Sequence, residues 1–312
     1  MTRGNSPRAT LPRRAVLAAA SALLLARPAA AHQSRDRRSD RLIHGGRLTL
    51  PVLIEGRGPF LFAIDTAATA SVVAGDLASS LGLRPSGPIA MHTLIGREVV
   101  EAVTAGRIRS GGLDRTGVRL AVASRSGLDG ADGLIGADLL SGYRLVLEFK
   151  GRNWARISRS RPPPIGFFDA PNTVNPLADG GQQGIGGPIT LEGRSRGAPI
   201  RVIIDTGAQV SLINRPAMDG GRASPLLLDD GTDRIPVMSP TGSSAIASAV
   251  LLHDLHFAGV ALSRLPVLAG DFHVFRHWGY GDVPAILMGV DILGLFETVI
   301  VDLGRGEIML GA

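Results

Sequence analysis

The sequence predicts an all-β protein: two β-barrel lobes in one chain, related by a pseudo-twofold axis and carrying only short helices. Three observations carry that reading. An acid ends an apolar run twice: Arg201-Val202-Ile203-Ile204 runs into Asp205-Thr206-Gly207-Ala208, and Pro59-Phe60-Leu61-Phe62-Ala63-Ile64 runs into Asp65-Thr66-Ala67-Ala68, 140 residues earlier (205 − 65). Downstream of each acid the same elements recur in the same order: a Gly-tipped hairpin, an apolar-apolar-Gly turn into a short helix, and a closing hairpin, an internal duplication. Finally, 45% hydrophobic residues with 41 Gly and 20 Pro in 312 residues, and no collagen-like period, fit packed β structure rich in tight turns.

Taken in order, residues 1–31 read as a signal peptide. Arg13-Arg14 precede the apolar run Ala15 to Ala26, and Ala29-Ala30-Ala31 offers the small residues of a cleavage site. Pro12-Arg13-Arg14-Ala15-Val16-Leu17 resembles a twin-arginine signal, with Val16 less bulky than usual at its place, so a general secretory signal stays open. A run of about 12 apolar residues is short of the roughly 20 needed to span a bilayer, so no stable membrane span is expected after its removal. The implied location is exported, periplasmic or secreted. Removing residues 1–31 takes away Arg3, Arg8, Arg13, Arg14 and Arg27 and no acid, so the net charge falls from +6 to +1 (6 − 5), which gives no argument for a nucleic-acid partner. Zero cysteines rule out disulfides, thiol nucleophiles and thiolate metal sites. Residues 32–41 read as a polar linker.

The first lobe is expected over 42–158. Arg47 to Ile54 and Phe60 to Ile64 form a hairpin that delivers Asp65 to a sheet end, Ala74 to Leu83 is a short helix closed at Gly82, and Pro85 to Pro88 break the pattern. Ile89 to Ile95 and Glu98 to Val103 are joined at Gly96. Further strands are expected at Gly106 to Ile108 and Val118 to Ala123, Gly133 to Leu140 turns from strand into helix, and Tyr143 to Phe149 with Trp154 to Ile157 close the lobe. Residues 159–187, with Pro162-Pro163-Pro164 and Gly180-Gly181, read as a linker. The second lobe, 188–312, replays the first through Ile189 to Leu191, Ile200 to Ile204, the hairpin around Ser239 to Ser244, Leu287 to Leu293 and the closing hairpin around Gly304-Arg305-Gly306.

Asp-Thr-Gly-Ala at a strand end, a Gly-tipped hairpin and the downstream Gly136 and Gly289 turns, all duplicated, resemble the retropepsin-like fold of the aspartic proteases. The chain looks like two such lobes fused, as in pepsin, similar to exported bacterial tandem-lobe aspartyl proteases. The resemblance implies that Asp65 and Asp205 are a catalytic pair. It implies that Thr66 and Thr206 tie the two loops together, that Ala67 and Gly207 lie beside the carboxylates, and that the hairpins at Gly96 and Gly242 are flaps. The implied activity is aspartic endopeptidase hydrolysis of an extended peptide or protein substrate by water activated between two aspartates, with no metal or cofactor, in a monomer with two pseudo-symmetric lobes. Ala67 departs from the family's glycine: a methyl is costly there if the position needs a positive φ or a close backbone approach, and harmless otherwise. The alternative is a non-catalytic or very narrow-specificity peptide-binding protein on the same fold.

Other residues read more plainly. His273 and His277 are four apart, a spacing that binds zinc on a helix, but Gly270, Gly279 and Gly281 surround them, so a loop rimming the cleft is expected and no metal site. His253 and His256 read as strand-end polar residues. Asp138 and Asp291 read as helix caps or arginine partners. Ser71 and Ser211 have no His partner at a recognisable spacing, which speaks against a serine hydrolase.

Overall fold

In the computed structural model, residues 43–44, 47–150, 154–161, 168–169, 173–174, 187–228 and 231–311 are described. The expected signal peptide, the expected polar linker and most of the expected 159–187 linker lie outside them.

The first half runs β1 (Ile43–His44), β2 (Arg47–Ile54), β3 (Arg57–Ile64), β4 (Val72–Ala74), α1 (Gly75–Leu81), β5 (Arg84–His92), β6 (Arg97–Ser110), β7 (Leu113–Ala123), β8 (Gly133–Ile135), α2 (Ala137–Leu140), β9 (Tyr143–Glu148) and β10 (Trp154–Arg159). β11 (Phe168–Asp169) and β12 (Thr173–Val174) fall within the expected linker. The second half runs β13 (Thr190–Ser195), β14 (Ala198–Ile204), β15 (Leu212–Ile213), α3 (Arg215–Ala217), β16 (Ala223–Pro225), β17 (Arg234–Met238), β18 (Ser244–Phe257), β19 (Val260–Ala269), α4 (His273–His277), β20 (Ala285–Met288), α5 (Val290–Leu293), β21 (Thr298–Asp302) and β22 (Glu307–Gly311).

An eight-stranded sheet, β1-β2-β3-β8-β4-β7-β6-β5, and a nine-stranded sheet built on β12-β13-β14-β20-β15-β19-β18-β16 form the two lobes. Each curls back on itself, β2 pairing with β6 and β13 with β18, so both edges are partly closed. At the heart of each lobe the topology is identical. β3 pairs in parallel with β8, which pairs antiparallel with β4; β14 pairs in parallel with β20, which pairs antiparallel with β15. β3 and β14 end in continuous buried runs, Phe62-Ala63-Ile64 and Val202-Ile203-Ile204, as expected of strands covered on both faces.

The closing hairpins depart from the expected plan. They do not finish their own barrels: β9 pairs antiparallel with β21, making one sheet, β10-β9-β21-β22-β11, from both halves. The alternation of Leu145, Leu147, Val299 and Val301 supplies a buried face on each hairpin, and the Leu145–Val301 and Leu147–Val299 pairs join the two faces into one. Within that sheet Arg144 faces Asp302 and donates from Nε to its Oδ2 at 3.1 Å, both side chains buried.

Other differences have local causes. The Pro85 to Pro88 break is a bulge inside β5, absorbed by Gly87 at φ 75°. The two strands expected between Glu98 and Ile108 are one, β6, because Gly106 continues it and donates its N–H to the Glu55 carboxylate. The histidines at 253 and 256 lie toward the C-terminal end of β18, as expected, His256 being next to its last residue, Phe257. α1 closes at Gly82 (φ 66°), as its sequence requires.

Candidate active site

Asp65 and Asp205 sit at the C-terminal ends of β3 and β14, each held by its backbone to the neighbouring parallel strand: Asp65 N–H donates to Ile135 O (2.9 Å) and Asp205 N–H to Met288 O (3.0 Å). The two carboxyls lie close enough to act on each other's protonation. Asp65 Oδ1 accepts from Ala67 N (3.0 Å) and Ala68 N (2.7 Å), and Asp205 Oδ1 from Gly207 N (2.7 Å).

The loops are locked by a reciprocal bridge. Thr66 Oγ1 donates to Ile204 O (3.2 Å) and accepts from Thr206 N (3.1 Å); Thr206 Oγ1 donates to Ile64 O (3.0 Å) and accepts from Thr66 N (3.2 Å). All four bonds cross between lobes and both threonines are 1% exposed, so no water competes for them. Below them the second layer is again duplicated. Ser71 Oγ donates to Asp138 Oδ1 (2.6 Å) and accepts from Gly136 N (2.9 Å), while Ser211 Oγ donates to Asp291 Oδ1 (2.6 Å) and accepts from Gly289 N (2.9 Å). Asp138 and Asp291 thus pair with serines and not with an arginine, and each sits in the first turn of its helix, where Asp291 Oδ1 also accepts from Ile292 N (2.9 Å). Burial pushes both carboxyls up, and the serine bonds oppose that. The glycines at 136 and 289 are needed for close approach: a Cβ there would come within 2.7 Å of Ala68 O or Ala208 O.

Burial raises both members of the acid pair, but unequally. Asp65 is raised mainly by desolvation, against bonds from Ala68 and Ala67 and the positive charge of Arg47. Asp205 is raised well above its ordinary value by desolvation and by the neighbouring Asp65 charge. The pair therefore titrates as a unit, with Asp205 the more strongly raised member.

Arg47 has no signature in the sequence, where it is a lone arginine opening a strand. Its Nη1 donates to Gly207 O (2.8 Å) and its Nε to Asp129 Oδ2 (2.7 Å), which also accepts from Gln209 Nε2 (3.1 Å). It ties the first lobe to the second acid loop. Arg47→Met is expected to raise the Asp65 pKa and move the acidic limb of the kcat/KM profile to higher pH; an unmoved limb would remove Arg47 from the charge balance of the pair.

Ala67 sits in its loop without strain. Neither Ala67 nor Gly207 has a positive φ. The Ala67 methyl is buried in an apolar cluster with Leu212, Phe272, Phe275, Trp278 and Tyr280 of the second lobe.

Both glycine-tipped hairpins reach the opposite lobe. In the first, Thr93 N–H closes on Gly96 O (2.9 Å), and Leu94, beside the tip, accepts from His273 N (2.9 Å) and packs against the cluster that contains Ala67. In the second, Gly242 adopts φ 93° and Pro240 lies against Gly127 of the first lobe so closely that a Cβ at 127 would overlap it. His273 and His277 belong to the short helix α4 rather than to a loop, and His92 of the first hairpin stacks on them.

A family model described as aspartyl protease matches residues 50–139, from β2 to α2, which contain Asp65 and the Gly136 turn. No curated protein matches the chain. Among solved structures, basic 7S globulin from soybean is 10% identical over 86% of this chain and 91% of its own, with a TM-score of 0.42. Conglutin gamma, a unique basic 7S globulin from lupine seeds, is 10% identical over 85% of this chain and 95% of its own, with a TM-score of 0.40.

Proposed function

We propose that this two-lobed protein of the retropepsin/pepsin-like aspartic protease family is an aspartic endopeptidase, with Asp65 and Asp205 as its catalytic pair. The observation that carries the reading is the acid pair, Asp205 buried and Asp65 half-buried, whose loops the reciprocal Thr66–Thr206 bridge locks side by side across the lobes. Two carboxyls so close cannot both ionise, which separates their roles. Asp65, ionised, accepts a proton from a water set between the pair as that water attacks a peptide carbonyl carbon. Asp205, protonated, donates a hydrogen bond to the carbonyl oxygen as charge develops there. Asp205 passes its proton to that oxygen to give a neutral tetrahedral diol; the C–N bond then breaks as Asp65 gives the water's proton to the leaving nitrogen and a diol hydroxyl returns its proton to Asp205.

The substrate is an extended peptide, with its backbone bonded along the hairpins and apolar side chains against the Ala67 cluster. Completion of the pair within one chain supports a monomer, and the leader supports export. Among the described residues no helix is long and apolar enough to cross a membrane. The docking of both hairpins on opposite lobes favours narrow specificity over broad digestion. The test is cleavage of a mixed peptide pool by the full chain across about pH 3 to 8, a range that brackets shifted carboxylates, beside Asp65→Asn. Cleavage lost in the variant supports the reading; wild-type protein inert on every pool, or cleavage that survives the substitution, overturns it.

A further inference from the structure

Three histidines from two lobes meet beside the first hairpin. His92 ends β5, five residues before β6 begins, while His273 and His277 lie on one face of α4, in the second lobe. His92 Nδ1 is 3.0 Å from His273 Nε2, and the His92 ring stacks on His277 with centroids 3.6 Å apart. One ring nitrogen from each of the three can be chosen so that all lie within 4.8 Å of one another. All three side chains are half-buried, so the cluster is open on one side.

We propose that His92, His273 and His277 form a binding site for a divalent transition-metal ion, which clips the first hairpin to the second lobe. Three imidazoles are the donor set of zinc, copper and nickel and do not suit calcium or magnesium, which take oxygen. With metal–nitrogen bonds of about 2.0–2.1 Å, the nitrogens must draw closer than 4.8 Å and the rings must splay from their stack. Rotation about the side-chain torsions of three half-buried rings supplies this without moving the backbone. The framework is already fixed, since His273 N–H donates to Leu94 O, two residues beyond His92. The open side leaves a coordination position for water or a ligand.

Two nearby charges bear on the site. Arg97 acts electrostatically on His92 and opposes a cation, whereas Asp271 is occupied by Arg276 of α4. The set therefore binds through its nitrogens with no carboxylate, and removing Arg97 should tighten it.

The consequence is a metal-dependent restraint on the hairpin. Since Leu94 packs into the cluster around Ala67, an ion at the histidines fixes the hairpin close to the acid pair. The site stands on its own geometry and does not depend on proteolysis.

The test uses the full chain without a polyhistidine tag. Titration with Co²⁺ alone, followed by its visible ligand-field bands, and with Zn²⁺ alone by calorimetry should give one ion per chain. His92→Asn and His277→Asn should each weaken binding by at least the roughly 10–100-fold that even loss of an outer-shell partner costs. Arg97→Ala should leave the stoichiometry unchanged and strengthen binding. Hydrogen exchange at residues 93–96 should slow when Zn²⁺ is added to the wild type and stay unchanged in His92→Asn, with melting curves checking that each variant is folded. Absent binding, binding that survives His92→Asn, or equal exchange with and without Zn²⁺ would overturn the proposal.

Discussion

Asp205→Asn is expected to abolish cleavage and, at the same time, to make the protein more stable at neutral pH. In the proposed mechanism the activity loss comes from removing the proton that Asp205 presents to the carbonyl oxygen; positioned acid–base groups contribute roughly 10²–10⁴-fold. The stability gain comes from linkage. Burial and the Asp65 charge raise the folded-state pKa of Asp205 well above its ordinary 3.8. Between the unfolded and folded values the native state binds more protons, so stability falls as pH rises through that window and the full penalty applies above it. Asparagine carries no charge. Its oxygen keeps the bond from Gly207 N–H and its amide can donate to Asp65, so the penalty is removed with little loss of contact. A gain of about 0.5–2 kcal/mol, the range of stabilising substitutions, is expected near neutrality. It should shrink as the pH falls toward the ordinary value of 3.8. Calorimetric melting of both proteins at several pH values decides it: a gain independent of pH would mean that Asp205 is not a buried, raised carboxyl.

The opposite signs of activity and stability are what a site built against its own folding predicts. The scaffold holds the acids in place with uncharged parts. The four bonds of Thr66 and Thr206, and the serines at 71 and 211, fix each carboxylate's backbone without neutralising it. Arg47 is the charged exception, and it acts on Asp65, the member that must ionise.

How much of this was legible depends on how far the signals lie apart along the chain. The acid loops and the turns at Gly136 and Gly289 were readable because each is a local pattern and occurs twice. The role of glycine at 136 is a close approach to Ala68 O, which any such turn must make. The partnership of Asp138 with Ser71 spans 67 residues and has no periodicity to betray it. His92 and His273 are 181 residues apart, so the four-residue spacing of His273 and His277, set among Gly270, Gly279 and Gly281, reads by itself as a loop rimming the cleft. Strand β19, for which the sequence raised no expectation, carries Pro266 inside its ladder, paired with Leu251. The shared closing sheet was invisible for a related reason: each hairpin is complete in sequence, and only the apolar faces left over decide that two hairpins pair. Ala67 shows the limit most directly. Residue identity flagged a departure, but whether it matters depends on the space at that position, and the two lobes differ there.

That difference yields the second large prediction, a contrast between equivalent positions. At Gly207 a Cβ would fall inside van der Waals contact of Asp65 Cγ and Oδ2 and 2.7 Å from Asp65 Cβ. Gly207→Ala must therefore push the Asp65 side chain away from Asp205, because the Gly207 backbone is held by its own bond to Asp205 and by Arg47 on its carbonyl. Misplacing a reacting group by about 1 Å costs on the order of 10²-fold, and this displacement acts on the group proposed to take the water's proton. At Ala67 the methyl points into the cluster of Phe272, Phe275 and Trp278, so Ala67→Gly removes apolar contact and adds backbone freedom. Together these cost about 1–2 kcal/mol of stability, while the acids stay where they are. Steady-state kinetics and denaturant titration of the two variants should separate: kcat/KM collapses in Gly207→Ala, and in Ala67→Gly only the denaturation midpoint moves. If Ala67→Gly raised activity substantially, the alanine would be a constraint on the first acid, and its packing against the Phe272 cluster would not account for its presence.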